Sequence, residues 1–338
     1  MTKLLKKISV PLVSLIFLLN MSSAGYAEST VSAEVGFIFN TLLFLMCGFL
    51  VFFMACGFAM LESGMVTSKS VSVICAKNIG LVSIGAIMFW LVGYNLAYGI
   101  PEGGYIGKFI PWSDASKIDT GYADGSDWYF QMVFCVTTVS IVSGTMAERI
   151  KLWPFFLFAA LLAGVIYPIV MGWQWGGGWL AKAGFSDFAG STLVHSTGGA
   201  AALAGAILIG PRLGRFTKSG APAPLKPFAA SSIPLVTLGV FILWLGWFGF
   251  NGGSQLAIGT APDAIAVSKI FINTLLAGAG GVMAAAAVTR LSGKTDVVQM
   301  LNGCIGGLVA ITAEPLMPSP FASILIGAVG GIIVVYGT

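Results

Sequence analysis

A long uncharged stretch in the middle of the chain decides the class of fold. The run Leu152–Ala181 reads LWPFFLFAALLAGVIYPIVMGWQWGGGWLA and lies between Lys151 and Lys182 without one charged residue. A helix needs roughly 20 apolar residues to cross the hydrocarbon layer of a bilayer. The run exceeds that length and shows no alternation of polar and apolar residues, so it predicts a membrane-spanning helix rather than a barrel strand.

The composition of the whole chain agrees with this prediction. Of the 338 residues, 57% are hydrophobic and only 9% are charged, whereas soluble domains carry about 25% charged residues. So few charges cannot cover a soluble surface, and the high apolar content excludes disorder. The five cysteines show no paired spacing that would indicate a disulfide framework, and the net charge of +4 is too small to indicate nucleic-acid binding.

Nine uncharged runs are expected to form the spans of an all-α polytopic membrane protein. Only helices and closed barrels satisfy every backbone polar group in lipid, and these runs are continuous rather than alternating. They are Val35–Leu61, Ile79–Pro101, Trp128–Ala147, Leu152–Ala181, Phe188–Pro211, Pro227–Pro262, Ile270–Thr289, Val297–Ala313 and Pro315–Thr338.

The first residues have the organisation of a secretory signal peptide. A positive segment precedes an apolar core at Ile8–Leu19, and small residues lead to Ala27. The positive charges are Lys3, Lys6 and Lys7. This order predicts a signal peptide at 1–27, which leaves 28–338 as the mature domain. An uncleaved first helix is the alternative, and in both cases the next segment starts outside the cytoplasm.

The distribution of basic residues gives an independent orientation. With the mature N-terminus outside, the loops that face the cytoplasm hold ten Lys and Arg residues, and the outer segments hold four. The ten are Lys69, Lys77, Arg149, Lys151, Arg212, Arg215, Lys218, Lys226, Arg290 and Lys294, and the four are Lys108, Lys117, Lys182 and Lys269. The excess obeys the positive-inside rule, so the signal peptide and the charge bias predict the same topology.

Two groups of polar and aromatic residues within the spans are candidate functional positions. The single histidine, His195, lies mid-span, where a neutral imidazole could either pack or serve a small polar solute. The run Phe241–Ala257, FILWLGWFGFNGGSQLA, combines Trp and Phe rings with Ser254. These rings could form an interfacial belt or an aromatic cage for a cation, and Trp173 and Trp175 could line the same outer mouth.

The sequence offers no motif for enzyme chemistry, for a cofactor or for a metal. The stretch Gly172–Trp179, GWQWGGGW, has no strand before it and no Lys-Ser/Thr after it, so it does not fit a phosphate-binding loop. A chain with one histidine and no paired cysteines offers neither a Ser-His-Asp triad nor a zinc site.

Three motifs occur in order along the chain and carry a resemblance to a known family. They are CVTTVSIVSGTMAERIK at Cys135–Lys151, DFAGSTLVHSTGGAAALAGAILIGPRLGRF at Asp187–Phe216 and GWFGFNGGS at Gly246–Ser254. Together they closely resemble the ammonium transporter (Amt/MEP/Rh) family, on its bacterial Amt side, from about Val35 to the last residue. The resemblance implies eleven membrane helices, an inverted repeat of the first five against the next five, and a homotrimer with one pore in each subunit.

The resemblance also implies roles for eight residues. Four of them would form an external recruitment site, which are Trp175, Phe130, Ser254 and the structural Asp187. The other four would line the pore below that site, which are Phe134, Phe250, His195 and Trp247. Phe134 and Phe250 would stack across the pore, and Trp247 would flank it. His195 would be the first of the two pore histidines of the family.

The sequence departs from the family pattern near its last residue. The second pore histidine of the family lies on its tenth helix, whereas this sequence contains nine of the usual eleven spans and one histidine. A partial sequence, without the last two helices and the cytoplasmic tail, is therefore expected. A natural variant with an incomplete pore is the alternative.

The residues and the resemblance together predict transport of ammonium across the membrane. Aromatic rings would hold the cation, which would lose a proton and pass as ammonia through an apolar pore past His195. The alternatives are an ammonium sensor coupled to a C-terminal signalling module, and a channel for another small neutral solute such as carbon dioxide. The expected location is a bacterial inner membrane, and the expected partners are the other trimer subunits and a P-II-type regulatory protein at the cytoplasmic face.

Overall fold

The computed structural model describes residues 32–216 and 230–338, which form nine long helices, a short 3₁₀ turn at Ile118–Thr120 and no β-strand within those ranges. The helices are α1 (Ala33–Met65), α2 (Ser68–Tyr98), α3 (Asp124–Met146), α4 (Leu152–Lys182), α5 (Ser191–Ile209), α6 (Ile233–Gly253), α7 (Ala261–Leu291), α8 (Val297–Ile311) and α9 (Pro320–Gly337). The predicted signal peptide, 1–27, lies outside the described residues.

The all-α polytopic fold that the sequence predicts is confirmed. Eight of the nine helices in the described ranges are long and apolar enough to cross a membrane. The other, α8, has 15 residues, so it is about 22 Å long at 1.5 Å per residue. It begins where its uncharged run begins, capped by Asp296, and it ends two residues before the run does, with Thr312 as its C-cap.

Several helices extend past the charges that the sequence analysis takes as their limits, and in α1 and α2 those charges pair with each other. Glu62 lies inside α1 and Lys77 lies inside α2, and both side chains are almost fully buried. The Nζ atom of Lys77 is 3.5 Å from Oε2 of Glu62 and donates to the carbonyl of Ser143, at 2.6 Å. The Ser143 hydroxyl donates to Glu62 at 2.9 Å. These charges are paired inside the bundle and join α1, α2 and α3.

Glycines allow the helices of the bundle to approach closely, as small residues do at helix contacts in lipid. A Cβ on Gly327 of α9 would overlap the carbonyl oxygen of Ala277 on α7. A Cβ on Gly281 of α7 would likewise overlap the carbonyl oxygen of Gly303 on α8. The backbones of α7, α8 and α9 are therefore in direct contact, and larger residues would force them apart.

Replacing Gly327 with Ala should destabilise the bundle, because the added methyl group meets backbone that cannot move alone. Overpacking of this kind costs about 1–3 kcal/mol, measurable by thermal unfolding in detergent. Gly36→Ala is the matched control, since nothing lies within 4 Å of its added Cβ. Equal unfolding temperatures for the two variants would contradict this account of the packing.

Candidate functional site

A cavity of about 410 Å³ lies where the ends of α2, α4 and α6 meet the starts of α3 and α5. The charge bias of the sequence predicts this face to be the outer one. Its lining includes all four residues expected at a recruitment site, which are Phe130, Trp175, Asp187 and Ser254. The structure thus brings together residues that are up to 124 positions apart in the sequence.

Three aromatic rings form one wall of this cavity. The ring centroid of Phe134 is 4.7 Å from that of Phe130 and 5.8 Å from that of Trp175, which it meets edge-on. The indole N–H of Trp175 donates to the backbone carbonyl of Asp187, at 2.8 Å. The orientation of Trp175 is therefore fixed by a hydrogen bond. Trp173 does not line the cavity, and its indole N–H donates to the carbonyl of Tyr105.

The Asp187 carboxylate holds the start of α5. The first N–H groups of a helix lack partners within the helix, and here Asp187 accepts from four of them. Its Oδ1 accepts from Gly190 and Ser191, both at 3.0 Å, and its Oδ2 accepts from Thr192 at 2.7 Å and Leu193 at 2.8 Å. Gly190 has a φ of 99°, which favours glycine at this tight turn. Asp187 thus organises the site through the backbone.

A pair of stacked rings closes the cavity at its buried side. The centroids of Phe134 and Phe250 are 3.9 Å apart with an interplanar angle of 23°, and both rings are fully buried. Phe134 lines the cavity whereas Phe250 does not. The Ser254 hydroxyl donates to the carbonyl of Phe250 at 2.8 Å. The oxygen lone pairs of Ser254 therefore remain able to accept from a ligand.

His195 lies on the far side of the ring pair, in a π-helical turn, Ser191–Ser196, that opens α5. Its ring centroid is 5.5 Å from that of Phe250. Its Nδ1 is 3.1 Å from the carbonyl oxygen of Gly190, which assigns the proton of the neutral ring to Nδ1. Its Nε2 is buried and has no hydrogen-bond partner within the described residues. His195 thus presents a free acceptor in an apolar setting.

Trp247 supports the other face of the histidine. The two rings stack with centroids 5.2 Å apart and an interplanar angle of 19°. The indole N–H of Trp247 donates to the Thr312 hydroxyl at 2.7 Å, and that hydroxyl donates to the carbonyl of Leu308. The end of α8 therefore fixes Trp247. Sequence reasoning missed Thr312, because its contact with Trp247 joins residues 65 positions apart.

The cavity also contains polar residues that sequence reasoning missed. They are Tyr94, Tyr98, Tyr122, Asp127, Gln131, Gln174 and Ser186. A signal for two of them exists in the sequence. Asp127 and Gln131 stand three residues before and one after Phe130, so with Phe134 they share one face of a helix.

Comparisons with known proteins agree on one family. Residues 42–338 match the Ammonium Transporter Family. The Synechocystis relative sll1017 is 41% identical over 332 residues, which are 96% of this chain and 74% of that protein. Ammonium transporter Amt2 of Archaeoglobus fulgidus is 40% identical over 304 residues, which are 87% of this chain and 63% of that protein.

Solved structures give the same result. A protein named Sensor Amt Protein matches with a TM-score of 0.83 at 32% identity, over 90% of this chain and 76% of that one. Mep2 of Candida albicans matches with a TM-score of 0.78 at 28% identity, over 90% of this chain and 68% of that one.

Replacing Asp187 with Asn should destabilise the protein, because the amide NH₂ cannot accept from two of the four N–H groups. Each buried donor left without a partner costs about 1–3 kcal/mol. The free energy of unfolding, measured in a denaturing detergent, should therefore fall by roughly 2–6 kcal/mol. Asp119→Asn, on an exposed loop, is the control for loss of a carboxylate. An Asp187→Asn protein as stable as the wild type would contradict the capping role.

Proposed function

The chain belongs to the ammonium transporter family, and on that premise we propose that it carries ammonium across a membrane through the cavity and ring pair described above. The family is one of transporters rather than enzymes. The eight long apolar helices make the chain a multi-pass membrane protein. The observation that carries the proposal is the unbroken series of contacts from Trp175 through Phe134 and Phe250 to His195.

The first step is recruitment of the cation in the cavity. Cation–π attraction to Trp175 and Phe130 is worth about 0.5–2 kcal/mol for each ring, depending on desolvation. The Ser254 oxygen, whose own proton is donated to Phe250, accepts an N–H from ammonium. A potassium ion has no proton to donate, so this hydrogen bond favours ammonium over an ion of the same charge.

The second step is loss of a proton before the apolar segment. Moving an intact cation into the apolar segment costs several kcal/mol. The stacked rings of Phe134 and Phe250 also leave no room for a hydrated ion. Ammonium therefore transfers one proton to water in the cavity, which gives hydronium and neutral ammonia, and the ammonia passes when the rings part. The free Nε2 of His195 accepts a hydrogen bond from ammonia beyond the rings, or it relays the proton.

The proposal includes the expected setting of the protein. Residues 1–27 act as a signal peptide, 28–338 belong to the transport domain, and the membrane is a bacterial inner membrane. The subunits form a homotrimer, and a P-II-type protein binds at the basic, cytoplasmic face. The order of charged and apolar residues supports the signal peptide and, through it, the inner membrane, while the homotrimer and the P-II-type partner rest on the resemblance to the family.

Transport is favoured over the two rival functions. The A. fulgidus relative is named a transporter, although one structural relative is named Sensor Amt Protein. A pore for carbon dioxide would need neither the aromatic wall nor the Ser254 acceptor. These groups favour a cation as the species that first binds.

Replacing Trp175 with Leu should raise the KM for methylammonium uptake into proteoliposomes about 2- to 30-fold, because one ring worth about 0.5–2 kcal/mol is lost. Trp173→Leu, which removes a neighbouring indole outside the cavity, should leave the KM unchanged.

Asp187→Ala should abolish uptake, since it loosens the start of α5. Normal uptake by the Trp175 and Asp187 variants would overturn the assignment of the site.

Replacing His195 with Leu should reduce the maximal flux after an ammonium pulse about tenfold, which corresponds to one lost hydrogen bond of about 1.4 kcal/mol. The KM should change little, because His195 lies beyond the cavity. Currents and internal pH are recorded from proteoliposomes that contain the complete protein. Ser196→Ala, the exposed neighbour in the same turn, is the control, and an undiminished flux in the His195 variant would remove the histidine from the mechanism.

A further inference from the structure

The cavity contains a buried carboxylate whose charge the steps above leave unused. Asp127 lies in the first turn of α3, is 5% exposed and lines the cavity. We propose that Asp127 binds the incoming ammonium ion directly, one helical turn before Phe130. This inference rests on the proposed function and adds a charged cation-binding group to it.

The hydrogen bonds of Asp127 leave room for a ligand. Its Oδ2 accepts from the Tyr94 hydroxyl at 2.6 Å, and its Oδ1 accepts from the Gln131 amide at 3.1 Å. A carboxylate offers about four acceptor positions, so about two remain. The contrast with Asp187 is informative, because four backbone donors occupy that carboxylate. Of the two, Asp127 is the one that can accept from a substrate.

The charge of Asp127 has no fixed partner in the described part of the chain. Buried carboxylates are costly unless they are paired with a cation or fully hydrogen-bonded. The ion pairs in that part are Lys77 with Glu62 and Arg212 with Glu148, and none of these residues lines the cavity. The helix dipole at the start of α3 supplies part of the compensation. A mobile cation in the cavity supplies the rest.

The helical spacing orders the binding groups along the path of the cation. Asp127, Phe130, Gln131 and Phe134 lie at positions i, i+3, i+4 and i+7 and all line the cavity. At a rise of 1.5 Å per residue, Asp127 precedes Phe130 by about 4.5 Å and Phe134 by about 10 Å. A cation thus meets the carboxylate first, then the recruiting ring, and last the closed ring pair.

A second acceptor in the cavity fits the same ligand. The Oε1 atom of Gln174 is buried without a hydrogen-bond partner among the described residues, and Gln174 belongs to the cavity lining. Ammonium has four N–H donors, so it can serve both Gln174 and Asp127. The faces of Tyr98 and Tyr122, which also line the cavity, add aromatic surface that favours a cation.

The test compares methylammonium uptake by full-length variants in proteoliposomes. Asp127→Asn keeps the shape but removes the charge, and we expect its KM to rise about tenfold with an unchanged maximal rate, as for two charges about 4 Å apart at an effective dielectric constant of about 60. Asp127→Glu should stay within about twofold of the wild-type KM, because it keeps the charge. Asp119→Asn, exposed and outside the cavity, controls for loss of net charge and should match the wild type.

A variant of Tyr94, which donates a hydrogen bond to Asp127, tests whether Asp127 binds the cation or only positions Tyr94. Tyr94→Phe removes the donor to Asp127 and leaves the carboxylate, so its KM should stay at or below that of the wild type. If Tyr94→Phe reproduces the defect of Asp127→Asn, the carboxylate only positions the tyrosine and the proposal is wrong. An unchanged KM for Asp127→Asn also overturns it. If Asp127→Asn does not insert, Asp127→Ser takes its place, with the same expected rise in KM, and an unchanged KM for Asp127→Ser overturns the proposal.

Failure of this inference is distinguishable from failure of the proposed function. A wild-type protein without methylammonium uptake, or a Trp175→Leu variant that matches it, would refute the proposed function itself. A wild-type protein that transports and depends on Trp175, with Asp127→Asn unaffected, would refute the role of Asp127 alone.

Discussion

Four backbone N–H groups at the start of α5 depend on one side chain, Asp187, and most of the site depends on that arrangement. The carboxylate accepts from all four, while the carbonyl of the same residue orients Trp175. The turn at Gly190, which these bonds hold, presents its carbonyl to Nδ1 of His195. One residue therefore fixes Trp175 on one side of the ring pair and His195 on the other.

The lipid environment explains why polar groups beside the ring pair are held in hydrogen bonds. A polar atom without a partner is expensive in an apolar surrounding, so the Trp247 indole is bonded to Thr312 and the Ser254 hydroxyl to Phe250. Several buried acceptors have no partner among the described residues, and two of them lie on the proposed path. Nε2 of His195 and Oε1 of Gln174 lack partners among the described residues, one beyond the ring pair and the other in the cavity, where the proposed path needs them.

The sequence predicts the fold better than it predicts the surroundings of the site. Uncharged runs locate the spans, because lipid excludes unpaired charge from a helix. The same rule ends α1 too early and starts α2 too late, since it cannot show that Glu62 and Lys77 pair with each other. Asp127 escapes notice for a related reason, because an acidic residue in a first helical turn is ordinary compensation of the helix dipole. Only the cavity distinguishes it from Asp124.

The paired charges of α1 and α2 have a consequence for how the protein is made. A lone Glu or Lys within a span opposes partitioning into the bilayer by about 2.5–3.5 kcal/mol on insertion scales. Glu62 and Lys77 are separated by the short turn between the two helices and lie close enough to neutralise each other. Biogenesis is therefore least costly when the translocation machinery releases α1 and α2 together, as a hairpin, rather than one after the other.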